Sequence, residues 1–308
     1  MILALAGGVG GAKLANGLAH LLPPGELTII VNTGDDFEHL GLHIAPDLDS
    51  VCYALAGRND VARGWGLAGE SWAFMDALKG LGGADWFNLG DRDLATHMLR
   101  TEGLKTQSLS AVTAHLANAM GIVHKVAPMS DQPVRSIVAT DIGELPFQHY
   151  FVRHQGQPAF RGIRFEGMES ARPSPAFIAA LDDPSLRAII LCPSNPWLSI
   201  APILAVPGVR ERIAARTVPL VAASPFLGGQ AVKGPAAKIM REIGLTPDAQ
   251  GLIHHYGDLL DGLVVQTGEG APSAEMPILE TNILIPDVDS QTRLAAEVVA
   301  FAERLRHG

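Results

Sequence analysis

Met1-Ile2-Leu3-Ala4-Leu5-Ala6-Gly7-Gly8-Val9-Gly10-Gly11-Ala12-Lys13 decides the fold. Its opening apolar run is too short for a helix and suits a strand buried on both faces. The glycines make a tight turn, and Leu14, Leu18, Leu21 and Leu22 then recur at helical spacing. Strand, glycine turn and helix form the unit that aims backbone N–H groups and a helix N-terminus at a phosphate. The turn matches neither familiar fingerprint. Lys13 stands where G-x-G-x-x-G needs a small residue, and Ala12 and Leu14 flank it where a Walker lysine needs Gly and Ser or Thr. Gly7, Gly8, Gly10, Gly11 and Lys13 are therefore read as a phosphate cradle with its own pattern.

Working outward, the apolar run Leu27-Thr28-Ile29-Ile30-Val31 ends in Asn32-Thr33-Gly34-Asp35-Asp36. Pro46-Asp47-Leu48-Asp49 stands at the mouth of a helix expected over 50–58, with Asp49 or Ser50 as its cap. Asp85 to Leu89 reads as a brief strand with Trp86 in the core, and Gly90-Asp91-Arg92-Asp93 leads into a helix over 94–100. Each acidic pair, Asp35/Asp36, Asp47/Asp49 and Asp91/Asp93, follows a strand or opens a helix. Capping is one role for such residues. Hard carboxylate oxygens beside a phosphate cradle also suit Mg²⁺. Arg92 is placed to fork onto a phosphate, and His97 reads as structural.

Further along, Ala188 to Cys192 and Pro219 to Ala223 are almost wholly apolar runs. They end at Pro193-Ser194-Asn195-Pro196 and at Ser224-Pro225-Phe226-Leu227-Gly228-Gly229, and ligands of open α/β sheets sit at such carboxyl ends. Lys233 and Lys238 flank Gly234-Pro235 as further candidate phosphate contacts. Between them and the first strands the pattern changes. Runs at 134–139, 147–152 and 160–165, separated by turn residues, read as an antiparallel meander. The fold class is α/β: a Rossmann-like parallel sheet flanked by helices, with a helical segment and a small antiparallel β insertion at about 134–166. Residues 1–308 are read as a single domain.

The chain has 308 residues, 47% hydrophobic and 18% charged, which is ample for a full core. With a net charge of -9 and no Lys/Arg cluster, nucleic-acid binding is disfavoured. A polyanionic ligand must then be held by glycine amides, a few local cations and a metal. Two well-separated cysteines give no disulfide framework, so a reducing cytoplasm is expected. There is no uninterrupted apolar stretch of about 18 residues, and no membrane association is expected.

The order and spacing of Gly-Gly-Val-Gly-Gly-Ala-Lys at 7–13, Val-Asn-Thr-Gly-Asp-Asp at 31–36, Pro-Asp-Leu-Asp at 46–49, Leu-Gly-Asp-Arg-Asp at 89–93, Pro-Ser-Asn-Pro at 193–196 and Ser-Pro-Phe-Leu-Gly-Gly at 224–229 resemble the 2-phospho-L-lactate transferase (CofD-like) family. The resemblance implies a Mg²⁺-dependent enzyme of coenzyme F-420 biosynthesis. Such an enzyme moves a phosphorylated three-carbon acid from a GDP-activated donor to the ribityl hydroxyl of the deazaflavin Fo and releases GMP. It also implies a homodimer. Asp49 and Asn88 match the family's Fo-contacting positions, although a lysine often stands at the latter, and the flat deazaflavin would lie under the loop carrying Trp65. Residues and resemblance together assign Asp35, Asp36, Asp47 and Asp49 to the metal, and the glycine turn, Lys13, Arg92, Ser194, Asn195, Ser224 and Gly228 to the nucleotide and its phosphates. Asp47, Asp49 and Asp91 are the catalytic candidates, Asp49 as a proton acceptor. A nucleotide-sugar-binding regulator of the same superfamily is the alternative reading. A nicotinamide dehydrogenase is disfavoured because Lys13 breaks its fingerprint.

Overall fold

The computed structural model describes residues 1–232, 234–270 and 276–307, so Lys233 lies outside the described residues. The opening stretch folds as strand β1 (Ile2–Ala6) and helix α1 (Gly8–Leu21), followed by strand β2 (Leu27–Val31). Alternation along β1 divides the interior into two cores. Leu3 and Leu5 point into one, with Phe177, Trp197 and Leu263. Ile2, Ala4 and Ala6 point into the other, against Leu14 and Leu18 of α1 and Leu294 and Val298 of the helix Val288–His307. Both faces are covered, which is why β1 and β2 carry no polar alternation.

Seven parallel strands form the main sheet, in the order 278–281, 262–266, 220–223, 188–191, β1, β2, 125–128. The chain builds outward from β1 in one direction, then returns to its other side and builds the opposite way. The sheet order therefore reverses between β1 and the strand Ala188–Leu191, and the turns leaving those two strands open the crevice where such sheets bind ligands.

Three departures from the sequence reading bear on the site. Helix α2 runs Pro46–Leu55 and starts with Pro at its first position, so Asp47 and Asp49 lie inside the first turn and neither Asp49 nor Ser50 is the cap. Residues 85–89 form no strand. Trp86 and Phe87 instead pack around Phe37 and His39 of the hairpin formed by Phe37–His39 and Leu42–Ile44, and Trp86 also meets His149 at 4.7 Å. The antiparallel insertion is present, but its strands are Arg135–Thr140, Gly143–Pro146 and Phe160–Glu166. The apolar run at 147–152 is coiled rather than extended, with a π-turn at His149–Arg153. Coiling brings Phe147, Gln148, Phe151 and Val152 to the same cavity wall, a placement a strand's alternation could not give.

Candidate functional site

A cavity of about 690 Å³ opens at this crevice. Gly7, Gly8, Gly10 and Lys13 line one end, beside Asp35, Asp47, Ser194, Asn195 and Ser199. Asp49, Tyr53, Trp65, Asn88, Asp93 and His97 line another part, and Ser224 and Pro286 complete the wall.

The glycines are there because nothing larger fits. A Cβ on Gly7 would stand 2.5 Å from Asp47 Oδ2 and 2.6 Å from Ser199 Cβ, and one on Gly10 would stand 2.4 Å from the Pro193 carbonyl oxygen. Gly8 has φ +63, which favours glycine. The Gly7 N–H donates to Ser194 Oγ at 3.0 Å, so the turn after the strand Ala188–Leu191 fastens the glycine turn. No side chain of its own caps α1 and no acidic residue stands in its first turn; the Asp47 carboxylate, accepting from the Gly8 N–H, lies against its positive end in the cavity. Lys13 makes no ion pair among the described residues.

Asp35 and Asp47 are 4% and 5% exposed, and among the described residues neither forms a salt bridge. Asn32, which the sequence reading passed over, donates from Nδ2 to Asp47 Oδ2 at 2.9 Å. Asp35 Oδ1 is buried with no hydrogen-bond partner. Burial, reinforced by the charge of Asp47, raises the Asp35 carboxyl well above its ordinary range. Burial likewise pushes Asp47 up to about 6. Two close, desolvated carboxylates with an orphaned oxygen fit a missing positive charge.

Asp49 lies two residues further along α2 in a different setting. Arg100, 2% exposed, grips both of its oxygens: Nη1 donates to Oδ2 at 3.1 Å and Nη2 to Oδ1. Burial raises the Asp49 carboxyl, and Arg100 opposes that shift. With its oxygens held by a guanidinium, Asp49 differs from Asp35 and Asp47 in having its charge matched, although its ligand atom lies within 4.8 Å of those of Asp93 and His97. Asp36 does not line the cavity; its Oδ2 meets His43 Nε2 at 3.1 Å, while its Oδ1, like that of Asp35, is buried with no hydrogen-bond partner.

The Gly-Asp-Arg-Asp turn shows which acid caps and which faces inward. Asp91 caps helix α3 (Ala73–Gly80), accepting from Ala73 N at 3.0 Å, Phe74 N at 3.1 Å and Ser71 Oγ at 2.6 Å. It does not line the cavity, so the expectation of a catalytic Asp91 is corrected to a cap. Arg92 is exposed and donates to the Ala68 carbonyl, so it is no phosphate fork in this fold. Glu70 accepts the backbone N–H groups of Arg92 and Asp93, at 2.7 and 2.9 Å, and so caps helix α4 (Asp93–Gly103). That leaves the Asp93 side chain free to face the cavity. Asp93, His97 and Arg100 share one face of α4, and their i, i+4, i+7 spacing was the signal available in the sequence.

The expected nucleotide residues are brought to the cavity but are partly committed to shaping it. Asn195 Oδ1 accepts from Trp197 N and Leu198 N, Ser194 Oγ from Gly7 N, and Ser224 Oγ from Phe226 N. Gly11 and Gly228 stand outside the lining. A Cβ on Gly11 would meet Ser194 Oγ at 2.3 Å, so its role is close packing, and the Gly228 N–H donates to Glu269. Lys238 donates to the Pro158 carbonyl and to Glu242 rather than facing the cavity. Trp65 does line it, held in a clamp in which Arg63 Cζ lies 4.9 Å from the ring centroids of both Trp65 and Trp72.

Fold and site thus define an α/β protein whose cavity lies at the switch point of a parallel sheet, with a glycine turn at one end. The family model 2-phospho-L-lactate transferase CofD matches residues 2–300, and the chain belongs to this transferase family. A phosphoenolpyruvate transferase from Kitasatospora aureofaciens is 39% identical, with 100% of this chain and 99% of that protein covered. A 2-phospho-L-lactate transferase from Methanopyrus kandleri is 37% identical over 98% and 97% of the two chains. A solved structure of a UPF0052-family protein from Bacillus halodurans superposes with a TM-score of 0.62 at 14% identity, covering 97% of this chain and 98% of that one, which shows a shared fold. Among the described residues no helix is long and apolar enough to cross a membrane.

Proposed function

We propose that the protein transfers a phosphorylated three-carbon acid from a GDP-activated donor to the ribityl hydroxyl of the deazaflavin Fo, releasing GMP, in coenzyme F-420 biosynthesis. One observation carries this reading: a glycine helix end with Lys13 stands beside two buried carboxylates that have no cation among the described residues, in a cavity that also holds Trp65 and Asn88. The glycine turn and Lys13 take the donor's phosphates. Asp35 and Asp47 hold Mg²⁺, which when bound neutralises charge on the phosphoryl oxygens and fixes their orientation. Trp65 offers its face to the flat heterocycle. The chemistry then needs alignment of an alcohol oxygen with phosphorus, and little covalent help from the protein.

The test is incubation with Fo, Mg²⁺ and a panel of GDP-linked donors carrying phospholactate, phosphoenolpyruvate or phosphoglycerate, followed by mass spectrometry. A phosphodiester product with stoichiometric GMP is expected, and the preferred donor identifies the acid, since relatives of both printed names match over the whole chain. Tight binding of a nucleotide sugar with no product from any donor would favour the regulatory alternative.

A further inference from the structure

We infer that Asp93 and His97 together seat and orient the attacking hydroxyl of the acceptor, Asp93 taking its hydrogen. The inference rests on the transferase reading above and assigns roles within that site. Both side chains are buried, at 8% and 2% exposure, yet both line the cavity. Asp93 Oδ1 is occupied by the Tyr53 hydroxyl. Asp93 Oδ2 accepts no hydrogen bond among the described residues and lies 4.0 Å from where a Cβ on Gly66 would stand, and Gly66 also lines the cavity. His97 Nε2 has no hydrogen-bond partner; its nearest carboxylate oxygen, Asp93 Oδ1, is 3.5 Å away, beyond hydrogen-bonding length. The other ring nitrogen, Nδ1, lies 3.3 Å from Arg100 Nη1, which can only donate. Nδ1 also lies 3.6 Å from Asp49 Oδ2, but that oxygen already accepts from Arg100, so the shorter Arg100 contact makes Nδ1 the acceptor and leaves the hydrogen on Nε2.

An unpaired donor and an unpaired acceptor side by side in a dry wall match a hydroxyl, which accepts through its oxygen and donates its hydrogen. Charge supports the choice over a metal at this cluster. Asp49 is already matched by Arg100, a cation on the same helix face as Asp93 and His97, whereas no cation among the described residues pairs with Asp35 or Asp47. In the reaction the ribityl oxygen forms a bond to phosphorus, and the bond from phosphorus to the GMP oxygen breaks with its electron pair. GMP leaves as a phosphate anion that needs no proton, while the hydroxyl hydrogen passes to Asp93 and then to water.

The test compares Asp93→Asn and His97→Gln with wild type, using Fo and whichever GDP-linked donor wild type turns over fastest. Asparagine keeps an oxygen for Tyr53, and circular dichroism melting checks each fold. Turnover is expected to fall about 100-fold in Asp93→Asn and about 10-fold in His97→Gln, with donor KM and Mn²⁺ affinity within threefold of wild type. Fo affinity, read from its fluorescence, is expected to weaken less than tenfold in either. Turnover above one third of wild type in Asp93→Asn overturns the inference. So does a loss of turnover only in step with Fo affinity, or a loss of Mn²⁺ binding, which would make the cluster a metal seat. A wild type that forms no product overturns the transferase reading itself, a separate outcome.

Discussion

Asp47 and Asp49 stand two residues apart on the first turn of one helix, yet their surroundings divide the cavity into two electrostatic regions. Asp47, with Asp35, has backbone and amide donors but no cation among the described residues. Asp49 has a buried arginine on both oxygens. The lesson is that an aspartate in such a motif is defined by what its neighbours leave undone. Where a guanidinium completes the charge, the carboxylate is architecture and hydrogen bonding. Where none does, the protein holds an unbalanced charge for which a divalent cation is the natural complement.

The sharpest way to break this contrast is to remove the compensating cation. Arg100→Met leaves Asp49 buried and unpaired and is expected to destabilise the fold by about 3–5 kcal/mol in urea unfolding. Adding Asp49→Asn should recover part of that loss. If the single variant is as stable as wild type, the two regions do not differ in the way described.

Next in size is the pH response of the uncompensated region. The Asp47 carboxyl sits at about 6 in the fold against an ordinary 3.8, so the native state holds this proton more tightly than the unfolded chain does. The associated stability is complete below about pH 4 and is lost as the pH rises through 6, amounting to ~3 kcal/mol by pH 7. Thermal melts of metal-free protein should follow that course, Mg²⁺ at pH 7 should restore the lost stability, and Asp47→Asn should reduce the pH dependence to the part that Asp35 contributes. A melt that ignores both pH and Mg²⁺ would argue against a cation at Asp35 and Asp47.

The smallest effect separates Asp91 from Asp93. Asp91→Ala removes the cap of α3 and is expected to lower stability by about 1 kcal/mol, with turnover within threefold of wild type. A large fall in turnover at unchanged stability would return Asp91 to the catalytic machinery.

Much of the architecture could be read directly from residue patterns. The apolar runs at 2–6, 27–31, 188–191 and 220–223 are strands because both their faces are buried, and uninterrupted hydrophobicity records that. The run at 147–152 has similar composition but coils, because a short apolar segment carries no period strong enough to separate strand from helical turn. At the site, residue types marked the right turns but not which side chain faces the cavity. Asp91 and Asp93 differ only in phase, and that phase is set by Glu70, a residue in a loop more than twenty positions upstream that caps α4. Spacing could place Arg100 on the face of Asp93 and His97, but its pairing with Asp49 was out of reach, because tertiary packing and not local spacing joins the two.

The bond from the Gly7 N–H to Ser194 Oγ spans 187 residues, and it has a bearing on how the molecule is made. Until the chain through residue 194 has docked beside β1, the glycine sequence is present but unformed, a set of flexible residues with no fixed concavity. Long-range closure of this kind is entropically slow. Affinity for the proposed GDP-linked donor should therefore emerge late in refolding, as a step rather than a ramp, and would serve as a reporter of completed assembly.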